Sequence, residues 1–182
     1  MNTATVFDRP EVTDGMLVHT LVQHCPPLDT NSSYCNLLQC SHFADTCITA
    51  KRAGELIGFI SGYRLPNQPH TLFIWQVAVS SDARGCGLAS QMLLQLLARP
   101  SCQGVQQIET TITSDNAGSW ALFTKLAKQL DAPLTRHTHF ERDTHFAGQH
   151  DSELLARIGP ISSATCTANT VEPLNKQPPP TL

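Results

Sequence analysis

Four absences narrow the reading first. Twelve lysines and arginines stand against fifteen acidic residues, for a net charge of −3, and the cations are scattered. Without a basic block, the electrostatic footprint of a nucleic-acid binder is missing. No apolar stretch approaches the roughly 18 residues of a membrane span, so no membrane is expected as a partner. The seven cysteines, Cys25, Cys35, Cys40, Cys47, Cys86, Cys102 and Cys166, are odd in number and contain no CxxC pair, and no secretory leader is seen. They read as reduced thiols of a cytoplasmic protein, most of them small core fillers. The familiar phosphate signatures are also lacking: there is no Walker loop ending in GKS/T and no dinucleotide-fingerprint spacing. His137, His139, His145 and His150 fit no standard zinc pattern, so no metal is expected.

What is present describes one globular core. The chain has 182 residues, 41% of them hydrophobic and 15% charged, which suits a single folded domain. Residues 161–182 are polar and include three consecutive prolines. They are expected to form a disordered Pro-rich tail to a domain spanning 1–160. The first few residues are expected to be loose.

The pattern between the ends is mixed α/β. Thr13 is placed to cap a helix carrying Met16, Leu17, Leu21 and Val22, ended by Cys25-Pro26-Pro27. A loop at 28–32 leads to a short helix from Ser33 through Leu38. Strands follow at about 45–51 and 55–64, joined at Ala53-Gly54, a hairpin signal. Residues 72–79 (LFIWQVAV) are apolar at both odd and even positions, which predicts a central strand covered on both faces. Leu88, Met92, Leu93, Leu96 and Leu97 repeat at helical spacing up to Pro100. Residues 105–113 alternate, with Ile108, Thr110 and Ile112 on one face and Glu109 and Thr111 on the other. Asp115-Asn116 opens a helix through Trp120, Phe123, Leu126 and Ala127. Weaker strands at 136–142 and 153–158 complete the pattern.

The turn between the apolar strand and the helix from Leu88 carries the first chemistry. It reads Arg84-Gly85-Cys86-Gly87-Leu88-Ala89. Glycines allow close approach of a ligand to the backbone. The following helix start offers unpaired N–H groups and a positive dipole end, and Arg84 adds a forked cation. Together they suit a diphosphate. An ordinary strand-to-helix turn would also read this way. Cys86 has no evident base beside it and reads as a small turn residue.

Arg84-x-x-Gly87-x-Ala89 resembles the R/Q-x-x-G-x-G/A acyl-CoA loop of the GNAT N-acetyltransferases. Asn116-x-x-Ser119-x-x-Leu122-Phe123-x-Lys125 resembles that family's second motif. The resemblance implies the GNAT fold, a central mostly antiparallel sheet splayed between its middle strands and flanked by helices. It also implies acetyl-CoA as co-substrate, bound by Val77, Val79, the 84–89 turn, Asn116, Ser119 and Phe123. Phe123 departs from the pattern, because many members have there a tyrosine that protonates the leaving thiolate.

Longer strings resemble one branch, the L-2,4-diaminobutyrate acetyltransferases of ectoine biosynthesis. They are Cys25-Pro26-Pro27-Leu28-Asp29-x-Asn31-Ser32-x-Tyr34, Trp75 to Val79, Glu109 to Thr113 continuing through Asp115-Asn116 and Ser119 to Phe123, and Gly148-x-His150-Asp151-x-Glu153 with Arg157 to Pro160. That branch implies transfer of acetyl to the γ-amine of diaminobutyrate by direct attack in a ternary complex, in a cytoplasmic homodimer. It implies an acceptor pocket of Asp29, Asn31, Tyr34, Trp75, Thr111, His150 and Glu153. Glu153, Asp29 and His150 are the candidate bases. Tyr34 or water would protonate the thiolate. The alternatives are a GNAT enzyme for another small amine (a polyamine, amino acid or aminoglycoside) and a non-catalytic acyl-CoA sensor.

Overall fold

The computed structural model describes residues 4–162. Cys166 and the expected tail from residue 163 onward lie outside the described residues. In chain order the elements are β1 (Thr5–Asp8), α1 (Gly15–Gln23), α2 (Ser33–Gln39), β2 (Ile48–Arg52), β3 (Glu55–Leu65), β4 (Gln68–Val79), α3 (Leu88–Leu97), β5 (Gln107–Thr113), α4 (Ala117–Gln129), β6 (Leu134–Phe140), α5 (Arg142–Phe146) and β7 (Glu153–Ile158). The seven strands form one open sheet in the order β1-β2-β3-β4-β5-β7-β6. Every neighbouring pair is antiparallel except β4 with β5.

Local chemistry sets most boundaries. Ser32 caps α2, its Oγ accepting from the Cys35 N–H at 3.1 Å. Asn116 caps α4 in the same way, accepting from the Ser119 N–H at 3.0 Å. Ala53 and Gly54 both have positive φ, 52° and 83°, which closes the β2–β3 hairpin. Thr13 does not cap α1. It lies in a 3₁₀ turn, Val12–Asp14, and α1 follows from Gly15. The turn is set by the buried Asp14, whose carboxylate accepts from the Glu11 N–H and from Lys51 Nζ at 2.7 Å. β2 starts at Ile48 and not near 45, because Ala44–Thr46 form another 3₁₀ turn. β1 and α5 were not anticipated. β1 is a four-residue edge strand, too short for alternation to register. α5 takes Arg142 out of the strand expected there.

The apolar run in β4 has a different meaning from the one expected. Its register on β3 shifts between Ser61↔Gln76 and Gly62↔Ile74, so Trp75 is an extra, bulged residue. A bulge reverses which parity faces which side. Before it, Leu72 and Ile74 belong to the core under α3 and α4. After it, Val77 and Val79 pack there instead, while Ala78 joins Phe59 in the core under α1. Odd and even positions are therefore both apolar, and the strand is covered on both faces only past the bulge. Trp75 remains 45% exposed. The strand is central, but around Phe73 and Trp75 one face is open.

The larger core holds α3 and α4 on the sheet through Met92, Leu93, Leu96 and Leu126, all essentially buried. Each such side chain contributes about 1.5–3 kcal/mol by leaving water. The smaller core, on the opposite face, is built from Val18, Leu21 and Val22 of α1 with Cys25, Cys40, Cys47 and Phe59. Burial pushes the thiols of Cys40 and Cys47 up to about 12, so both stay protonated at neutral pH.

β4 pairs with β5 only over Thr71–Phe73 and Gln107–Glu109. Beyond that point the strands separate, each still held by its other neighbour, β3 or β7. Gly62 sets the bulge on the β3 side, since a Cβ there would lie 2.8 Å from the Phe73 carbonyl oxygen. Gly62→Ala is expected to force β3 from β4 and cost about 1–3 kcal/mol, measured by urea denaturation. An unchanged midpoint would show that the bulge adapts freely.

Candidate active site

The strand separation opens a cleft of about 1450 Å³. A pocket for one small molecule is typically about 300–1,000 Å³, so this cleft has room for two reactants side by side. Its lining includes Val77 and Phe123, while Val79 and the turn at 84–89 stand outside it, beyond the end of β4.

On the α3 side, β4 runs into the glycine turn. Gly85 and Gly87 have φ of 76° and 80°, a region that favours glycine. A Cβ on either would meet no protein atom within 4 Å, so the space in front of the turn is open. Gly87 is the N-cap of α3, whose first N–H groups and positive dipole end face outward from the helix start. Arg84 is fixed across the strand end, its Nε donating to the Val79 carbonyl at 3.0 Å. The same carbonyl accepts from Cys25 Sγ at 3.3 Å. Cys86 is exposed and its Sγ donates to the Ala83 carbonyl. Leu88 is buried and Ala89 half-buried beneath the turn. Val77, Asn116, Ser119 and the buried Phe123 line the cleft. β4 has no strand partner on the β5 side past Phe73, so this stretch presents backbone polar groups to the cleft.

On the α1 side, the loop before α2 meets the β4 bulge. Asp29, Asn31, Trp75, Thr111, His150 and Glu153 all line this part of the cleft. The Asp29 carboxylate is 83% exposed, and its Oδ2 lies 3.9 Å from His150 Nε2. His150 Nδ1 bonds the Asp151 carbonyl at 2.7 Å. A carbonyl only accepts, so Nδ1 carries a proton and Nε2 of the neutral ring is free to accept one. The ring is packed on Phe146, 4.7 Å between centroids. Thr111 and Glu153 sit on β5 and β7, and Glu153 pairs across to Thr113. Tyr34 is not brought to the cleft. It lies on α2, 68% exposed, and is absent from the lining residues. His137 and His139, on β6, also border the cleft. Among the described residues no three His, Cys, Asp or Glu are grouped to hold a metal ion.

Several participants escaped the sequence reading. Gln76 is buried, and its amide clamps the acceptor loop at two points. Nε2 donates to the Asp29 carbonyl at 2.6 Å, and Oε1 accepts from Asn31 Nδ2 at 2.9 Å. The signal was an amide inside an apolar run, where burial demands partners. Tyr63 and Phe73 join Trp75 and Phe43 in an aromatic wall, with Tyr63 centroids 5.4–6.2 Å from the other three. Glu109, buried on β5, is paired with Arg157 of β7, Nε to Oε1 at 2.6 Å, and both line the cleft.

Gln76→Leu is expected to free the loop: amide hydrogen exchange at 28–31 should accelerate while α3 and α4 keep their protection. Unchanged exchange at 28–31 would show that other contacts hold it.

The profile of the acetyltransferase (GNAT) family matches residues 17–127. The L-2,4-diaminobutyric acid acetyltransferase of Methylotuvimicrobium alcaliphilum is 53% identical over 157 residues, which is 86% of this chain and 91% of that protein. The protein of the same name from Halomonas elongata is 46% identical over 156 residues, 85% of this chain and 81% of its own. Among solved structures, diaminobutyrate acetyltransferase EctA from Paenibacillus lautus, in complex with its substrate L-2,4-diaminobutyric acid and coenzyme A, is similar with a TM-score of 0.83. It is 41% identical, with 87% of this chain and 96% of that one covered. Ard1 from Thermoplasma volcanium, at 15% identity and a TM-score of 0.69 over 86% of this chain and 98% of its own, shares the fold. With a glycine turn on one side of the splayed strands and an acidic, aromatic pocket on the other, this chain belongs to the GNAT acetyltransferase family and, within it, to the L-2,4-diaminobutyric acid acetyltransferases.

Proposed function

We propose that this protein transfers the acetyl group of acetyl-CoA to the γ-amine of L-2,4-diaminobutyrate, giving the Nγ-acetyl product in ectoine biosynthesis. The observation that carries this is the opening between β4 and β5, lined by Asp29, Glu153 and an aromatic wall, with the glycine turn open to solvent at the end of β4. The identity to the diaminobutyric acid acetyltransferases supports the choice of acceptor. The catalytic domain covers residues 1–160 and runs on to Ile161, which is buried in the larger core with its N–H donating to the Gln106 carbonyl at 2.8 Å. The enzyme works in the cytoplasm as a homodimer. Val12, Met16 and Leu17, each more than half exposed near the start of α1, offer apolar surface for that association. No helix among the described residues is long and apolar enough to cross a membrane.

The N–H groups of residues 84–89 hold the pyrophosphate. Pantetheine runs between β4 and β5, bordered by Val79, Asn116, Ser119 and Phe123. The unpaired edge of β4 near Val77 polarises the acetyl carbonyl and stabilises the oxyanion. Asp29 and Glu153 hold the two ammonium groups, with Asn31 and Thr111 as further polar contacts and Trp75 against the aliphatic chain.

An alkyl ammonium has a pKa of about 10.4, so at neutral pH on the order of one amine in a thousand is ready to attack. His150 Nε2 takes the proton, and the adjacent Asp29 stabilises the resulting imidazolium. The neutral amine attacks the thioester carbon, the C–S bond breaks, and the nitrogen sheds its second proton. Phe123 has no proton to give, so the thiolate is protonated by water or by the proton the nitrogen releases. Tyr34, outside the cleft of its own chain, would need a movement of α2 or the partner subunit to serve.

Incubation with acetyl-CoA and diaminobutyrate is expected to release free thiol and give a product acetylated on Nγ by NMR. Asp29→Ala should raise the acceptor KM by roughly ten- to a hundredfold, the loss of one charge-assisted hydrogen bond. Acetylation on Nα, or an unaltered KM, would overturn the corresponding assignment. Near pH 7, a maleimide is expected to label Cys86 well before Cys40 or Cys47, and saturating CoA should slow that labelling. Unprotected labelling would displace the pyrophosphate from the turn.

A further inference from the structure

We propose that Arg157 binds the carboxylate of the acceptor and that Glu109 aims it. This rests on the reading of the acceptor as a diamino acid, and adds the one contact that reading leaves unassigned. The pocket residues named so far answer the two ammonium groups, but the acceptor also carries a carboxylate, which in a partly enclosed cleft requires a cation.

Two arginines line the cleft. Arg142 is at the rim on α5, paired at 3.2 Å with Asp151, and both side chains are well exposed. Arg157 lies within. It stands directly across from Glu109 in the β5–β7 register, and Glu109 is itself next to Phe73 where β4 and β5 last pair. The Glu109 side chain is only 6% exposed, against 38% for Arg157. A buried carboxylate is stable only with its partner, so Glu109 holds the guanidinium in place. The bond uses Nε. The terminal nitrogens still carry four N–H donors in a plane, the geometry that matches a carboxylate oxygen for oxygen.

The spacing suits the acceptor. Along this face the cross-strand pairs run Glu109–Arg157, Thr111–Leu155 and Thr113–Glu153. Four residues of strand put about 13 Å between the backbones of Arg157 and Glu153. An acceptor four bonds long from carboxylate carbon to γ-nitrogen spans about 5 Å, and the two long side chains reach inward over the rest. A carboxylate on Arg157 points the amine end past Thr111 toward Glu153 and the unpaired edge of β4. Tyr63 and Phe73, which flank this end of the cleft, shield the charges from water. Arg157 therefore selects a diamino acid over a plain diamine.

The test compares diaminobutyrate with 1,3-diaminopropane, the same diamine without the carboxylate, in wild type, Arg157→Gln, Arg157→Lys and Arg142→Gln. CoA binding by calorimetry reports that each variant is folded. Arg157→Gln is expected to lower kcat/KM for diaminobutyrate on the order of a hundredfold, mainly through KM, and to leave 1,3-diaminopropane nearly unchanged, so that the preference collapses. Arg157→Lys keeps charge and loses the fork, and should lose part of the preference. It carries the comparison if the glutamine variant does not fold. Equal losses on both amines would make Arg157 a structural ion-pair partner only and overturn the proposal, as would collapse of the preference in Arg142→Gln instead. A wild-type enzyme that acetylates neither amine, or both alike, would overturn the diamino-acid reading itself.

Discussion

The site depends on where β4 and β5 stop pairing. Three residues on each strand hold them together. After Phe73 and Glu109 each strand remains bound to its outer neighbour, so the sheet stays intact while its centre opens. Such a gap would be costly if it exposed backbone to an apolar interior. Here it faces an open cleft, where the unpaired groups stay accessible.

The β4 bulge does the complementary work. It turns Trp75 outward and sends Gln76 toward the α1 side, where its amide fixes the loop carrying Asp29 and Asn31. One inserted residue thus presents an aromatic side chain, fastens an acidic loop and keeps Val77 on the opposite face. The acidic residues gathered there do not all act on the ligand. Asp14 neutralises Lys51 behind α1, and Glu109 spends its charge on Arg157. Asp29 and Glu153 are the carboxylates proposed above to hold the ammonium groups.

Much of this was legible in the residue order. The helices from Ser33, Leu88 and Asn116 follow from capping and spacing, and the glycine turn is readable because φ of 76° and 80° at Gly85 and Gly87 favours that residue. The family strings located Asp29, Trp75, Thr111, His150 and Glu153 on one cleft. Three things were not legible. A bulge leaves no mark in a run that is apolar at both parities, so β4 looked covered twice. The Glu109–Arg157 pair joins residues 48 apart, a register that only the folded sheet defines. Tyr34 was assigned from a string whose neighbours reach the cleft, but helical rotation carries its side chain elsewhere.

The switch of parity within β4 separates two kinds of change. Phe73 and Trp75 line the cleft on the side proposed for the acceptor, and Val77 and Val79 pack on the α3 side, proposed for the cofactor, on a single strand a few residues apart. Substitutions on the first pair can remodel the recipient amine while the second pair, and the turn it leads into, stays as it is. A lineage built on this sheet can therefore diversify its substrates by drift at a handful of positions without first re-evolving its energy source.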